Sequence, residues 1–163
     1  MRSPIHHAAR NVFNVFGFPT TFKPGFAVFL AFLVFLYPYP LGLWMAGAVG
    51  IFTLIHELGH ALAARMSGCT ASISLDFMVA YAAYEPRTPL TWGQKARIAI
   101  AGPSLQITCA IAVLLLNSTN PFSRAEISIS DATISIWWAG IALGVLNLVP
   151  LLPLDGGAFV ASI

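Results

Sequence analysis

The distribution of apolar residues along the chain predicts four membrane-spanning helices. Apolar side chains dominate four stretches, at residues 22–39, 41–66, 91–117 and 132–148. At ~1.5 Å per residue, a helix over the second stretch is roughly 39 Å long and exceeds the ~30 Å of hydrocarbon in a bilayer. Prolines follow the first and the fourth stretches, and proline cannot continue a helix. We therefore expect four helices that cross a membrane.

The pattern changes between the second and the third stretches. Ile73, Leu75 and Phe77 alternate with polar residues, and a period of two is typical of a β-strand. Residues 82–84 continue this strand or return as a short hairpin. The combined patterns predict an all-α polytopic membrane protein with about four transmembrane helices and a small β-strand or hairpin element.

Composition supports a membrane protein and excludes other classes. Of the 163 residues, 58% are hydrophobic and 9% are charged, whereas soluble domains carry roughly 25% charged residues. The formal net charge of +2 is too small to indicate nucleic-acid binding. The amino-terminal residues show no cleavable signal pattern. Cys69 and Cys109 lie far apart in different kinds of segment, so we expect them to fill apolar space rather than form a disulfide or a metal motif.

The basic residues orient the chain in the membrane. If the first helix runs outward from the cytoplasm, seven of the eight lysines and arginines lie on the inner side, and the outer loop holds Arg124 alone. This distribution follows the positive-inside rule. We expect an integral protein of a bacterial cytoplasmic membrane with a cytoplasmic amino terminus. Residues 1–22 then form a cytoplasmic segment, residues 23–163 form the membrane-embedded domain, and the β element lies on the cytoplasmic side.

Small residues recur at a spacing of four on two of the stretches. Gly42, Ala46 and Gly50 form such a row on the second stretch, and Gly140 and Gly144 form one on the fourth. Rows of small residues let membrane helices approach closely. We expect these two helices to pack against each other through the rows.

A group of polar residues near the end of the second stretch is the strongest indication of chemistry. His56, Glu57 and His60 follow an apolar run without charged residues. Positions i and i+4 share one face of a helix, so the two imidazoles can bind one metal ion while Glu57 stands ready to take a proton from water. Ionisable residues inside a membrane are costly and by default indicate a functional site. The site lies roughly 9–15 Å below the inner surface.

A catalytic zinc site needs a third protein ligand. Five residues predicted on the inner side can supply it, namely His6, His7, Asp76, Glu85 and Asp155. Asp155 is the best of these candidates because it follows the fourth helix at the depth of the histidines. Prolines before it and glycines after it favour the irregular backbone that lines a cavity at membrane depth.

In these residues the chain resembles the site-2 protease family of intramembrane zinc metalloproteases. The matching motifs are His56 to His60 in one helix, Ala101-Gly102-Pro103 in the next, and residues 147–157 in a later one. The resemblance covers most of the chain. Two positions depart from the family pattern. Gln106 stands where many members have asparagine, and the chain ends at Ile163, where members usually continue through another helix.

The resemblance implies roles for individual residues. His56, His60 and Asp155 would bind one zinc ion, and Glu57 would be the catalytic base. Asn147 matches an asparagine that assists substrate or oxyanion binding in the family. From the alternation alone, we also expect Ile73, Leu75 and Phe77 to belong to a strand that binds an unwound substrate along its edge.

The expected function is zinc-dependent hydrolysis of a peptide bond in or near a transmembrane segment. As the resemblance implies, the substrate would be a single-span membrane protein or a remnant signal peptide, with any regulatory membrane partners on other chains. A metal-binding membrane protein without protease activity, such as a transporter or an inactive relative, remains the alternative. A transporter needs polar ligands along a path through both leaflets. The polar residues here cluster at one depth, which favours the enzyme.

Overall fold

The computed structural model describes residues 12–77 and 80–162. His6 and His7 lie outside these residues. The described chain contains four strands, two long helices, several shorter helices and one π-helical segment. The strands are β1 (Val12–Val15), β2 (Phe18–Phe22), β3 (Cys69–Leu75) and β4 (Ala80–Pro86). The helices are α1 (Pro24–Leu36), α2 (Leu41–Met66), α3 (Trp92–Leu116), α4 (Arg124–Ile127), α5 (Asp131–Ile136), α6 (Leu143–Asn147) and α7 (Asp155–Ala161), and the π-helical segment is Trp137–Ala142.

The four strands form one sheet in the order β1-β2-β3-β4. β1 and β2 form a hairpin, β2 runs parallel to β3, and β3 pairs antiparallel with β4. The parallel pair is possible because α1 and α2 form the crossover between β2 and β3. The chain is therefore a mixed α/β protein, and the expectation of an all-α bundle with one small hairpin is wrong in this respect.

Residues 12–22 supply two strands that the sequence pattern did not predict. Phe16 and Gly17 form the turn with positive φ angles of 49° and 83°. The Asn14 side chain accepts a hydrogen bond of 2.8 Å from the Gly17 amide. Four- and five-residue strands are too short for a clear alternation. Because β1 pairs with β2 and β2 pairs with β3, their stability comes from pairing within the sheet rather than from local sequence.

The sheet packs against the second half of α2. Ile73 and Leu75 of β3 are almost completely buried, together with Phe18, Phe26 and Leu58. This core fixes the distance between the sheet and the helix. It also places the half of α2 that carries His56, Glu57 and His60 next to the sheet.

Two helices among the described residues are long and apolar enough to cross a membrane, namely α2 and α3. α1 has 13 residues because the chain before Pro24 is drawn into the sheet. The fourth predicted span is helical from 131 to 147, but the π-helical segment divides it into three parts. Four full-length membrane helices are thus a prediction from the sequence and are not observed as four single helices.

The small residues permit close packing, but with other partners than expected. A Cβ atom on Gly42 would meet the backbone of Val34 in α1, and a Cβ on Gly144 would lie 2.6 Å from Ile107 in α3. α2 and α3 cross closely at Gly59 and Gly102, where a Cβ on Gly59 would lie 2.8 Å from the Gly102 Cα. The two rows therefore do not pack mainly on each other, and α2, the more buried of the two long helices, packs against α1, α3 and the sheet.

Candidate active site

The His-Glu-x-x-His sequence forms one buried turn of α2. His56, Glu57 and His60 are 8%, 5% and 8% exposed. The helical spacing places both imidazoles on one face, with their Nε2 atoms 3.0 Å apart. Glu57 follows His56 directly and therefore points to an adjacent part of the same surface.

Asp155 joins the two histidines from the far end of the chain. Its Oδ2 atom lies 3.0 Å from His56 Nε2, and its Oδ1 atom lies 3.4 Å from His60 Nε2. The turn that ends at Asp155 is tight: a Cβ on Gly156 would overlap the Leu148 carbonyl, and a Cβ on Gly157 would lie 2.5 Å from the Leu152 nitrogen. The glycines are needed at this close approach, which brings the carboxylate back onto α2.

Both histidines hold their other ring nitrogen against an oxygen atom. His56 Nδ1 lies 2.6 Å from Gln106 Oε1, and His60 Nδ1 lies 2.7 Å from the Ile98 carbonyl oxygen. Because a carbonyl oxygen can only accept, each Nδ1 carries the proton and donates it. In the neutral imidazoles each Nε2 atom then carries no proton, and its lone pair is free to bind a cation.

The three groups form a donor set for a metal ion. Two imidazole lone pairs and one carboxylate oxygen lie within 4.8 Å of one another. Three acceptors facing each other without a donor repel, and a cation at their centre removes this repulsion. Two histidines and one carboxylate, with a fourth position left open, is a ligand set of catalytic zinc. The residues therefore fit one Zn²⁺ ion.

Glu57 and the ligands line a cavity of about 860 Å³. Strand β4 contributes Ala80, Tyr81 and Ala82 to the lining. Asn147 at the end of α6 also lines the cavity. The metal-binding groups, the Glu57 carboxylate and strand β4 thus all line one cavity.

The structure does not place Ile73, Leu75 and Phe77 at an edge where a substrate could bind. Ile73 and Leu75 are 1% and 0% exposed and belong to the core, and at residues 73–75 β3 is paired with β2 on one side and β4 on the other. Phe77 follows β3 and packs on Phe29, with ring centroids 5.9 Å apart, rather than in the cavity lining. A strand segment with both edges paired has no free backbone groups for a substrate, so Ile73 and Leu75 cannot bind one in this way. Among the described residues, β1 and β4 are the edge strands of the sheet, and of these two β4 lines the cavity.

The other described candidates for the third ligand lie elsewhere. Asp76 Oδ2 forms an ion pair of 2.9 Å with Lys23 Nζ at the junction of β2 and α1. Glu85 is exposed on β4. Neither belongs to the group of ligand atoms around His56 and His60. Asp155 is therefore the candidate that the fold brings to the histidines.

Three residues of α3, namely Ile98, Gly102 and Gln106, support the site. The sequence did not predict this role for them. The Gln106 amide and the Ile98 carbonyl hold the two imidazoles, while Gly102 leaves room for the His60 ring, which a Cβ there would overlap. Gly102 and Gln106 attracted attention only through the family pattern. The Ile98 carbonyl carries no side-chain signal, so no sequence pattern could have identified it.

Comparisons with known proteins agree with this site. A candidate zinc metalloprotease of Synechocystis is 29% identical over 165 aligned positions, which cover 92% of this chain and 42% of that protein. Rip3, a candidate zinc metalloprotease of Mycobacterium tuberculosis, is 35% identical over 135 positions, which cover 73% of this chain and 32% of that protein. A zinc metalloprotease of Methanocaldococcus jannaschii is 25% identical over 93% of this chain and 44% of its own length. The chain thus spans less than half the length of these curated relatives.

The fold has a match among solved structures. The site-2 protease from Methanocaldococcus jannaschii superposes with a TM-score of 0.66 at 22% sequence identity, covering 91% of this chain and 68% of that chain. No family model matches the chain. The similar proteins, the shared fold and the geometry of the ligands lead to one conclusion: the chain is a relative of the site-2 protease family of zinc metalloproteases.

Proposed function

We propose that this chain is the catalytic part of an intramembrane zinc metalloprotease, which hydrolyses a peptide bond in or near a transmembrane segment of a membrane-anchored substrate. The observation that carries the proposal is the convergence of His56, His60 and Asp155 beside Glu57 in one cavity. Carrier proteins have no need of a buried carboxylate next to the ligands. A hydrolase needs one as general base.

The chemistry divides between the ion and the side chains. Zinc, when bound, supplies a Lewis acid that polarises a carbonyl group and brings the pKa of a water ligand to about 7. The Glu57 carboxylate takes a proton from the attacking water and passes it to the nitrogen of the leaving amine. The Asn147 amide donates a hydrogen bond to the carbonyl oxygen as negative charge develops there. Burial of Glu57 and both histidines strengthens these interactions because it excludes bulk water.

The substrate binds as an extended strand on β4. A peptide bond within a helix has its carbonyl hydrogen-bonded and its neighbours closely packed, so a membrane helix must unwind before it is cut. The free edge of β4 offers N–H and C=O groups to such an unwound segment. Because Ala80, Tyr81 and Ala82 line the cavity, a segment paired with this edge passes beside Glu57.

The substrate is a single-span membrane protein or a remnant signal peptide. Either one presents a single membrane segment that can unwind from one end. The site lies on the half of α2 that adjoins the sheet, which suits a bond near one membrane surface. A soluble peptide of the same sequence would lack the membrane anchor that brings the bond to the cavity and should be cut more slowly.

The orientation follows from the charges. We propose four crossings, with α1 as a short helix, α2 and α3 as full spans, and the helical residues 131–147 as the fourth. The amino terminus and the sheet then face the cytoplasm. At ~1.5 Å per residue α1 covers only about 20 Å, and a locally thinned bilayer accommodates such a helix. A membrane-impermeant maleimide added to intact cells should label Ile129→Cys but not Thr88→Cys when Cys69 and Cys109 are replaced. The opposite labelling would reverse the proposed orientation.

The decisive experiment compares Glu57→Gln with Glu85→Gln in liposomes that also hold a single-span test substrate. Glu57→Gln should keep zinc but cleave at least about 100-fold more slowly, the lower end of the contribution of a general base. Glu85→Gln, an exposed control on β4, should match wild type in both zinc content and cleavage rate. Cleavage by Glu57→Gln at the wild-type rate would refute the mechanism. Zinc movement across the membrane without cleavage would establish the carrier instead.

A further inference from the structure

Gln106 connects the metal site to the π-helical segment. Its side chain is 3% exposed and makes two short hydrogen bonds. The Oε1 atom lies 2.6 Å from His56 Nδ1, and the Nε2 atom donates to the Ala139 carbonyl oxygen at 2.7 Å. One amide therefore joins a residue of α2 to the backbone of the Trp137–Ala142 segment.

The Ala139 carbonyl decides which way this amide points. A carbonyl oxygen accepts only from the NH₂ end of the amide, so the Oε1 end must face His56. His56 Nδ1 then carries the proton, and Nε2 keeps its lone pair for the ion. The backbone of a distant helix thus selects the metal-binding tautomer of His56 through one side chain.

The Ala139 carbonyl sits in a backbone of unusual geometry. π-helical turns occur mostly as short segments and frequently at functional sites. Ala139 is 1% exposed, and a Cβ on its neighbour Gly140 would overlap Ala110 of α3. The segment is therefore pressed against α3, the helix that carries Gln106. This packing holds the carbonyl within reach of the amide.

The two histidines depend on α3 in different ways. His60 is held by the main-chain carbonyl of Ile98, which persists whatever side chain stands there. His56 is held by the Gln106 side chain, and its support is lost when that side chain changes. A substitution at Gln106 thus disturbs one ligand and leaves the other in place.

We propose that Gln106 is a positioning residue for zinc, which sets the tautomer and the ring orientation of His56 by way of the Ala139 carbonyl. The inference rests on the zinc site of the proposed function but not on proteolysis. Outer partners of metal-bound histidines commonly contribute about 10- to 100-fold to metal affinity. Gln106→Leu, which removes both hydrogen bonds at similar volume, should weaken zinc binding by about this factor.

The two hydrogen bonds can be separated by substitution. Gln106→Glu keeps an oxygen toward His56 Nδ1 but places a second acceptor against the Ala139 carbonyl. If Gln106 acts through His56, Gln106→Glu should bind zinc more tightly than Gln106→Leu, because the carboxylate still accepts from His56 Nδ1. If Gln106 only ties α3 to the π-helical segment, Gln106→Glu should bind zinc no better than Gln106→Leu, and the proposal is overturned.

The readouts do not depend on cleavage. Zinc affinity of the purified chain in detergent is measured against a chromophoric chelator, and the visible spectrum of the Co²⁺-loaded protein reports ligand geometry. Ser135→Ala, which changes a buried hydroxyl of α5 without a hydrogen-bond partner, is the matched control and should keep the wild-type affinity and spectrum. Gln106→Leu with wild-type affinity and an unchanged Co²⁺ spectrum would also overturn the proposal. If Gln106→Leu does not fold, Gln106→Met, which also removes both hydrogen bonds, takes its place. Weaker zinc binding than in Ser135→Ala supports the proposal, and wild-type affinity with an unchanged Co²⁺ spectrum overturns it.

Failure of this inference is distinct from failure of the proposed function. A wild-type protein that binds zinc, loses it on Gln106→Leu and cleaves nothing would leave the positioning role intact and refute the protease. If instead the wild-type protein cleaves its substrate and Gln106→Leu binds zinc as tightly as wild type, the protease is supported and the positioning role is refuted.

Discussion

The Nε2 atoms of His56 and His60 face each other at 3.0 Å while both Nδ1 atoms donate hydrogen bonds to oxygen. This arrangement is unfavourable for two neutral imidazoles alone and favourable around a cation. The Asp155 carboxylate adds negative charge at the same point. The chemistry of this donor set thus favours a bound cation, independently of any similarity to other proteins.

Asp155→Ala should abolish stoichiometric zinc binding because two imidazoles alone leave the ion without its only anionic protein ligand. Zinc content per chain is measured by mass spectrometry after removal of loosely bound metal. Glu85→Ala removes an exposed carboxylate outside the ligand group and should retain one zinc per chain. Full zinc content in Asp155→Ala would show that another residue completes the site.

Gly102→Ala should lower both stability and zinc occupancy. The added Cβ overlaps the His60 ring, so either the ring turns away from the ion or α2 and α3 separate. Overpacking of this kind costs about 1–3 kcal/mol. Thermal unfolding in detergent and zinc content measure the two effects.

Gly47→Ala is the matched control for this substitution. A Cβ at Gly47, in the same helix as His60, meets nothing within 4 Å. Alanine is favoured over glycine in a helix by about 1 kcal/mol, so this variant should be as stable as wild type or more so and keep its zinc. Equal behaviour of the two alanine variants would contradict the close crossing of α2 and α3.

Proline substitutions on β4 test the use of its edge. Ala82 pairs with Ile73, and Ala83 pairs with Ser72. Neighbouring residues of a strand direct their N–H groups to opposite edges, so only one of Ala82→Pro and Ala83→Pro removes a bond to β3. The other should keep the wild-type thermal stability and lose cleavage, because it removes a donor from the substrate edge. Undiminished cleavage by the stable variant would exclude strand pairing at β4.

The Lys23–Asp76 ion pair should make stability depend on pH at both extremes. The hydrogen bond from Lys23 lowers the pKa of the Asp76 carboxyl below its ordinary value of 3.8. The same bond raises the pKa of Lys23 above its ordinary value of 10.5. The stability that the pair contributes is complete between these ordinary values. It is lost as pH falls through the lowered pKa of Asp76 and as pH rises through the raised pKa of Lys23.

The melting temperatures of wild type and Asp76→Asn measure this contribution. Wild type should be more stable at pH 7, and the difference should vanish in acid once Asp76 is protonated. The pair is partly exposed, with side-chain exposures of 38% and 36%, so high salt should reduce the difference at pH 7. A difference that persists unchanged in strong acid would assign the effect of the substitution to packing of the loop against Gly25.

Sequence periodicity was sufficient to predict the parts of the site that lie on a single helix. His56 and His60 share a face of α2 because the helix repeats every 3.6 residues, and a long apolar run in a bilayer favours a helix because it satisfies its own backbone hydrogen bonds. Asp155 was identified by its chemistry, since few carboxylates lie on the predicted inner side and this one follows a segment unable to stay helical. The membrane character followed in the same way from composition alone.

Contacts between distant residues decided the rest. A strand becomes inner or edge only when its neighbours are placed, so β3 could not be told from β4, and β1 and β2 gain their stability from pairing rather than from their own short pattern. The support of His56 depends on Gln106 and the Ala139 carbonyl, and the support of His60 depends on a main-chain oxygen. The sequence determined which groups can bind an ion, because side-chain chemistry and helical repeat are local. Only the tertiary structure decided how those groups are held, because hydrogen bonds across the core join positions with no periodic relation to each other.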